Sequence, residues 1–233
     1  MHGEMCTKME PLVSVIIPTY NGTDSLIYVA VRSVLSQTYK NLEVIIVVDG
    51  SKNNDTLKQI PGIVDKRLIW VVLPDSNPVA LQEGIARWKA GSAYPRNKGL
   101  NIAEGKWIFP LDDDDEVVPE GIEELLRFAQ NGKYDFVYGK ARCTGWSSGN
   151  RVIGRWPLER GHIKHAAVLY NASKLGHMRY DSYSYRDKKV PTDWDMWSRI
   201  KKTGARIGFL DKIIVNCYDN YRWGKQEWFK KER

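Results

Sequence analysis

The chain, 233 residues long, predicts an α/β fold with a mostly parallel central sheet and helices on both faces. Three observations carry that reading. Short β-branched runs, too apolar to face water on either side, recur through the first half. Helical patterns alternate with them. Each run also ends on polar residues, which in an open α/β sheet gather along one edge, where ligands bind.

Residues 12–17 read as the first strand, stopped by Pro18. Residues 24–37 read as a helix with Leu26, Ala30 and Val34 on one stripe. Residues 42–48 form the second strand, closed by the turn Asp49-Gly50-Ser51, and residues 68–72 the third. A helix is expected over 95–103, ended by Gly105, then a fourth strand over 106–111. The clearest helix spans 119–131, with Pro119 in its first turn, Ile122, Leu125, Leu126 and Ala129 on one face, and Gly132 at its end. Beyond residue 135 the pattern weakens. Residues 135–138, 165–170 and 206–215 read as strands and 192–203 as a helix.

Residues 1–10 read as a loose arm and 11–233 as a single domain. Its first half, 11–118, would bind a nucleotide and its second, 119–233, would form the acceptor side. The net charge of +7 suits an anionic partner. The basic residues are scattered, however, and no long basic block marks a nucleic-acid arm. Cys6, Cys143 and Cys217 are odd in number and lack metal-ligand spacing, which fits a reducing compartment. No signal peptide or membrane-spanning run is evident, so a cytoplasmic protein with at most a peripheral membrane contact is expected. The oligomeric state is left open.

The densest chemistry lies in Asp112-Asp113-Asp114-Asp115-Glu116, between an apolar strand and a helix. Adjacent carboxylates repel one another unless solvated or neutralised by a cation. Mg²⁺ or Mn²⁺ is held by one or two carboxylates together with substrate phosphates. The spacing excludes an EF-hand loop. A solvated loop ahead of a helix N-terminus is the plain alternative. Thr19 and Asn21 after the first strand, and Asp49 after the second, occupy equivalent edge positions, although each is also ordinary turn chemistry.

Farther along, Thr192-Asp193-Trp194-Asp195 opens a helix. Thr192 and Asp195 resemble a capping box, which leaves Asp193 as a candidate general base. Trp194 and Trp197 suit either a sugar-stacking wall or plain core. Arg96-Asn97 could reach a diphosphate or base. Arg155, Trp156 and Arg160 are acceptor-side candidates. His162, His165 and His177 read as surface or hydrogen-bonded core histidines. The aromatic tail, with Tyr221, Trp223, Trp228 and Phe229, suits a lid, a membrane contact or a dimer contact.

The ordered series of motifs resembles glycosyltransferase family 2, inverting enzymes of the GT-A fold. The resemblance rests on residues 13–21 (VSVIIPTYN), 33–39 (SVLSQTY), 43–51, 96–100 (RNKGL) with 103–105, and 111–119 (LDDDDEVVP). It implies a metal-dependent transfer of a sugar from a nucleotide diphosphate donor, UDP-linked, to an acceptor hydroxyl of a glycan, in a single inverting displacement. By the same resemblance Pro18, Thr19, Tyr20, Asn21, Asp49, Arg96, Asp112 and Asp113 would hold the nucleotide sugar, with Asp112 on the ribose. Asp114 would ligate Mn²⁺ or Mg²⁺ and Asp193 would be the catalytic base. Two positions depart from the family pattern: Val48 precedes Asp49 where Asp-Asp is common, and Thr192 stands where Glu is common. A non-catalytic nucleotide-sugar-binding module is the alternative. A nucleotidyltransferase ranks below both, because the first loop lacks a Gly-rich, Arg-containing stretch.

Overall fold

The structure is a computed structural model that describes residues 10–20, 23–49, 64–73, 92–145 and 149–218. Strand β1 is Val13–Thr19, β2 Leu42–Val48, β3 Leu68–Val72, β4 Trp107–Pro110 and β5 Asp115–Val117. Then follow β6 Phe136–Thr144, β7 Arg151–Ile153, β8 Val168–Asn171 and β9 Ile207–Tyr218. The helices are α1 (three pieces, Thr23–Ser25, a π-helical Leu26–Val31 and Arg32–Leu35), α2 Ala93–Ile102, α3 Gly121–Gly132, α4 Ala172–Leu175, α5 Ser184–Lys188 and α6 Thr192–Lys202.

These strands form one sheet in the order β3-β2-β1-β4-β8-β6-β9-β5, with β7 paired to β6. The pairings among β3, β2, β1 and β4 are parallel. Next, β8 runs antiparallel to β4 and β6, while β6 and β9 are parallel. The short β5 then pairs antiparallel with β9, setting Asp115 opposite Cys217.

Strand alternation sorts the core into layers. Val13, Val15, Ile17, Val44, Ile46 and Phe109 face Leu26, Ala30 and Val34 of α1 and Ile122, Leu125 and Ala129 of α3. Ile16, Ile108, Phe136, Tyr138 and Tyr170 face the other way, onto Leu100 of α2 and Met196, Trp197 and Ile200 of α6. Both faces of the sheet are thus covered, which is why its strands read as continuous apolar runs. Fully burying each such aliphatic side chain contributes about 1.5–3 kcal/mol.

Three local expectations are corrected. Strand β1 continues through Pro18 to Thr19. Ile16 O accepts from Leu111 N on the β4 side. The nitrogen of Pro18, two residues on, faces that same side past the last β4 pair, so no ladder bond is lost. Pro119 precedes the α3 N-cap, Glu120, and its carbonyl accepts from Thr38 N at 3.0 Å. The run at 165–170 begins as a 3-10 turn, His165–Ala167, closed by Ala167 N on Lys164 O, and extends only from Val168.

Glu43 and Gln37, both buried, pin the frame beneath the sheet edge. Glu43 Oε1 accepts from Ser14 Oγ at 2.5 Å and from the backbone N–H groups of Glu104 and Gly105, joining β1, β2 and the loop before β4. Gln37 donates to Val118 O at 2.7 Å and accepts from Ile122 N at 3.1 Å. Ser33 Oγ accepts from Val117 N at 3.2 Å. The end of α1 is thereby docked behind the acidic segment, fixing where β5 and α3 begin.

Candidate active site

The carboxyl ends of β1, β2 and β4 bring the polar turns together. Asp49 N donates to Thr19 O at 2.9 Å, and Thr19 Oγ1 donates to Asp113 Oδ2 at 2.7 Å. Asp49 and Thr19 are buried, whereas Tyr20 is exposed beside them. Pro18 lies within β1. Asn21, Gly50 and Ser51 fall outside the described residues. Three loops far apart in sequence therefore meet at one edge, as strand order requires.

Arg96 projects from α2 and forms an ion pair with Asp112. It is buried, with its guanidinium 5.6 Å from the centre of the Tyr180 ring. Asn97, next on the helix, holds Tyr180 by two backbone hydrogen bonds of 2.8 and 2.9 Å. Burial pushes the Asp112 carboxyl up, but Arg96 beside it, with a further contribution from Lys164, outweighs burial and holds it below the usual carboxylate range. Asp113 and Asp114 form the turn, and Asp115 enters β5.

Asp115 is 2% exposed, and its Oδ2 has no hydrogen-bond partner. Burial, opposed by Lys164 and reinforced by the like charges of Asp112 and Asp114, pushes its carboxyl well above the ordinary value. Glu116 turns away and accepts from Asn216 Nδ2 at 3.1 Å and Tyr218 Oη at 2.5 Å. Asp112, Asp113, Asp115 and Glu116 thus have separate environments. Among the described residues no three His, Cys, Asp or Glu side chains are grouped to hold a metal ion unaided.

Asp193 lies in the first turn of α6, half-buried, and its Oδ1 accepts from Trp194 N at 2.8 Å. It is in electrostatic reach of Tyr180, the residue that also covers Arg96. The start of α6 and the Asp112–Arg96 pair therefore share a neighbour. The capping-box reading is corrected: the N-cap is Pro191, and Thr192 is already helical. Asp195 is structural through other partners, accepting from Arg199 at 2.8 Å and Lys188 at 3.2 Å.

Burial decides the aromatic side. Trp197 is fully buried in the core layer under α6, the plain-core alternative of the two open to it. His165 is neither a surface residue nor a hydrogen-bonded core one. It is 5% exposed, stacks on Trp197 at 5.5 Å, and both ring nitrogens lack partners. Burial and Arg96 push its imidazole well below the ordinary value, so it is neutral at pH 7. The acceptor candidates Arg155, Trp156 and Arg160 are exposed on the segment leading to Lys164. Lys164 itself was missed by sequence reading, since a lone lysine in a loop carries no spacing signal. The aromatic tail lies outside the described residues. No helix among them is long and apolar enough to cross a membrane.

Known proteins share this frame. The crystal structure of S. aureus TarS superposes with a TM-score of 0.67 at 19% identity, over 89% of this chain and 60% of that one. A second TarS structure, solved with UDP-GlcNAc, gives the same TM-score over 58% of its chain. A Pyrobaculum calidifontis mannosyltransferase, solved with GDP-Man and Mn²⁺, gives 0.60 at 16% identity, over 95% of this chain and 60% of that one. In sequence, the Escherichia coli UDP-Glc:alpha-D-GlcNAc-diphosphoundecaprenol beta-1,3-glucosyltransferase WfaP is 39% identical over 202 residues, 84% of this chain and 72% of that protein. The profile of Glycosyl transferase family 2 matches residues 14–232. Since that match runs through every strand from the first ladder to β9, and a named transferase lies at this level of identity, the chain belongs to glycosyl transferase family 2.

Proposed function

We propose that the protein transfers a sugar from a UDP-linked donor to a glycan hydroxyl, with inversion at the anomeric carbon. The observation that carries this reading is the meeting of Thr19, Asp49, Arg96 and the acidic turn at one sheet edge. The donors printed for relatives, UDP-Glc for WfaP and UDP-GlcNAc for TarS, support a UDP sugar. The GDP-Man complex of the mannosyltransferase makes the base a point to test.

Asp49, with Thr19 and Tyr20, would hold the base, and Asp112 the ribose. Arg96 already neutralises one carboxylate of the turn and would turn toward the diphosphate when Asp112 engages the ribose. The acidic turn offers hard oxygen donors, which suit Mn²⁺ or Mg²⁺ shared with diphosphate oxygens rather than enclosed by protein ligands alone. Asp114 would ligate it, and the cation would offset the charge that grows on the diphosphate as it departs. Asp193 accepts the acceptor hydroxyl proton as that oxygen attacks the anomeric carbon. The bond from that carbon to the diphosphate oxygen breaks, and the nucleoside diphosphate leaves with its electron pair.

Asp193→Asn keeps the size and the helix start but removes the base. Transfer is expected to fall by roughly a hundred- to ten-thousand-fold, with UDP affinity unchanged by calorimetry. If the variant retains transfer, or loses UDP binding in parallel, the assignment to Asp193 is wrong.

A further inference from the structure

Residues 178–181 form neither helix nor strand, yet they are tied from two sides. From α2, Asn97 stands in for a peptide group: its Nδ2 donates to Tyr180 O at 2.9 Å and its Oδ1 accepts from Tyr180 N at 2.8 Å. One turn on, Asn101 Oδ1 accepts from Arg179 Nε at 3.0 Å and Nη2 at 2.9 Å. From α6, Arg199 Nη2 donates to Arg179 O at 2.5 Å. The residue fixed in this way is Tyr180, which is 4% exposed and packs edge-on against His165 at 5.7 Å and Trp197 at 6.1 Å. The Arg96 guanidinium lies 5.6 Å from the centre of its ring, within cation–π range. Arg96 pairs with Asp112 through Nη2, but its buried Nε has no hydrogen-bond partner. The Tyr180 ring thus supplies a hold on the guanidinium that hydrogen bonding at Nε does not.

We propose that Asn97 is a positioning residue for the donor diphosphate, acting through Tyr180: by fixing the ring, it holds Arg96 at the sheet edge before the nucleotide arrives. This rests on the reading of that edge as a nucleoside diphosphate site. An arginine side chain has much rotamer freedom to lose on binding a phosphate oxygen, and one that is already braced loses less. Without Asn97, residues 178–181 keep their ties to Asn101 and Arg199, so the fold survives, but the ring no longer has a fixed place beside Arg96. The effect is confined to the phosphates. Thr19 and Asp49, proposed to hold the base, are fixed through β1, β2 and Asp113 rather than through this segment.

The test compares UDP, followed by calorimetry, with uridine, which lacks the phosphates and is followed by ligand-observed NMR. Asn97→Ala should weaken UDP binding by about tenfold, as for one partly desolvated cation–π contact, and leave uridine affinity unchanged. Tyr180→Leu, which fills the core without a π face, should do the same, and combining the two should add little. Asn101→Ala, a control on the same helix and the same segment, should leave both ligands at wild-type affinity. A general loosening of the site would weaken uridine along with UDP, so parallel loss of both in Asn97→Ala overturns the inference. Unchanged UDP affinity in Asn97→Ala, or fully additive losses in the double variant, overturns it too. If Asn97→Ala fails to fold, Tyr180→Leu carries the comparison of UDP with uridine, and equal losses of the two ligands there overturn the inference. Arg96→Ala with undiminished UDP affinity would instead remove the diphosphate reading on which it stands.

Discussion

Asp112, Asp113 and Asp115 are three copies of one side chain, yet each meets a different partner. Asp112 faces Arg96, Asp113 accepts from Thr19, and Asp115 is buried in β5 opposite Cys217. Chemical identity along the sequence therefore says little about role, because each carboxylate is defined by what the fold brings to it. Asp114, at the tip of the turn, is the position proposed to ligate the cation. Asp114→Ala should leave metal-free UDP affinity near wild type and abolish the gain on adding Mn²⁺. Calorimetry with and without EDTA checks this, and a preserved Mn²⁺-dependent gain would move the ligand elsewhere in the block. His165 makes the same point from the opposite direction. Two unpartnered ring nitrogens in a buried site are costly, and nothing in the residues around position 165 announces them.

At the scale of elements, the site depends on joints that pattern reading passes over. The acidic segment is located by α1, whose Gln37 and Ser33 bond to residues 117, 118 and 122. A π-helical stretch lies within that helix, and Leu26, Ala30 and Val31 are all buried there. The loop before β4 is clamped by Glu43 and Ser14. Gly105 is needed there for space: a Cβ would sit 2.3 Å from Ser14 Oγ and 2.6 Å from Ser14 N. Because one of those atoms is backbone in a central strand, the clash cannot be relieved by a rotamer change. Gly105→Ala is therefore expected to destabilise the fold by about 1–3 kcal/mol, read as a lowered urea midpoint with an unchanged m-value. Stability equal to wild type would show that the loop can move away from β1.

For the molecule as a whole, the decisive feature is that β9 lies between β6 and β5. The last described strand thus supports the residue that closes the acidic turn, Asp115, through its pairing with Cys217. The nucleotide edge in the first half is consequently completed by chain that comes a hundred residues later. A chain ended after Gly204 should lose cooperative unfolding and UDP binding together, as followed by circular dichroism and calorimetry. Retained UDP affinity in that fragment would mean that β1 to β4 alone suffice to hold the nucleotide.

Much of this was legible in the residues themselves. The runs at 42–48 and 68–72 match β2 and β3 residue for residue; β2 is covered on both faces, as its composition requires, whereas β3 ends the sheet with Ile69 and Val72 exposed. The stripe Ile122, Leu125, Leu126 and Ala129 is buried as its spacing required. The rule that polar turns gather at one sheet edge placed Thr19, Asp49 and the acidic block together before any coordinates were needed. Local sequence thus determined the fold class, the first-half elements and the edge on which the site lies, because periodicity and strand-end position are short-range properties. Tertiary structure alone decided that Asp112 meets Arg96, that Asp115 is buried opposite Cys217, and that His165 and Trp197 lie in the core. Those are long-range pairings, set by how β6, β8 and β9 close beside β4, and the free energy of a charge depends on its neighbours in space.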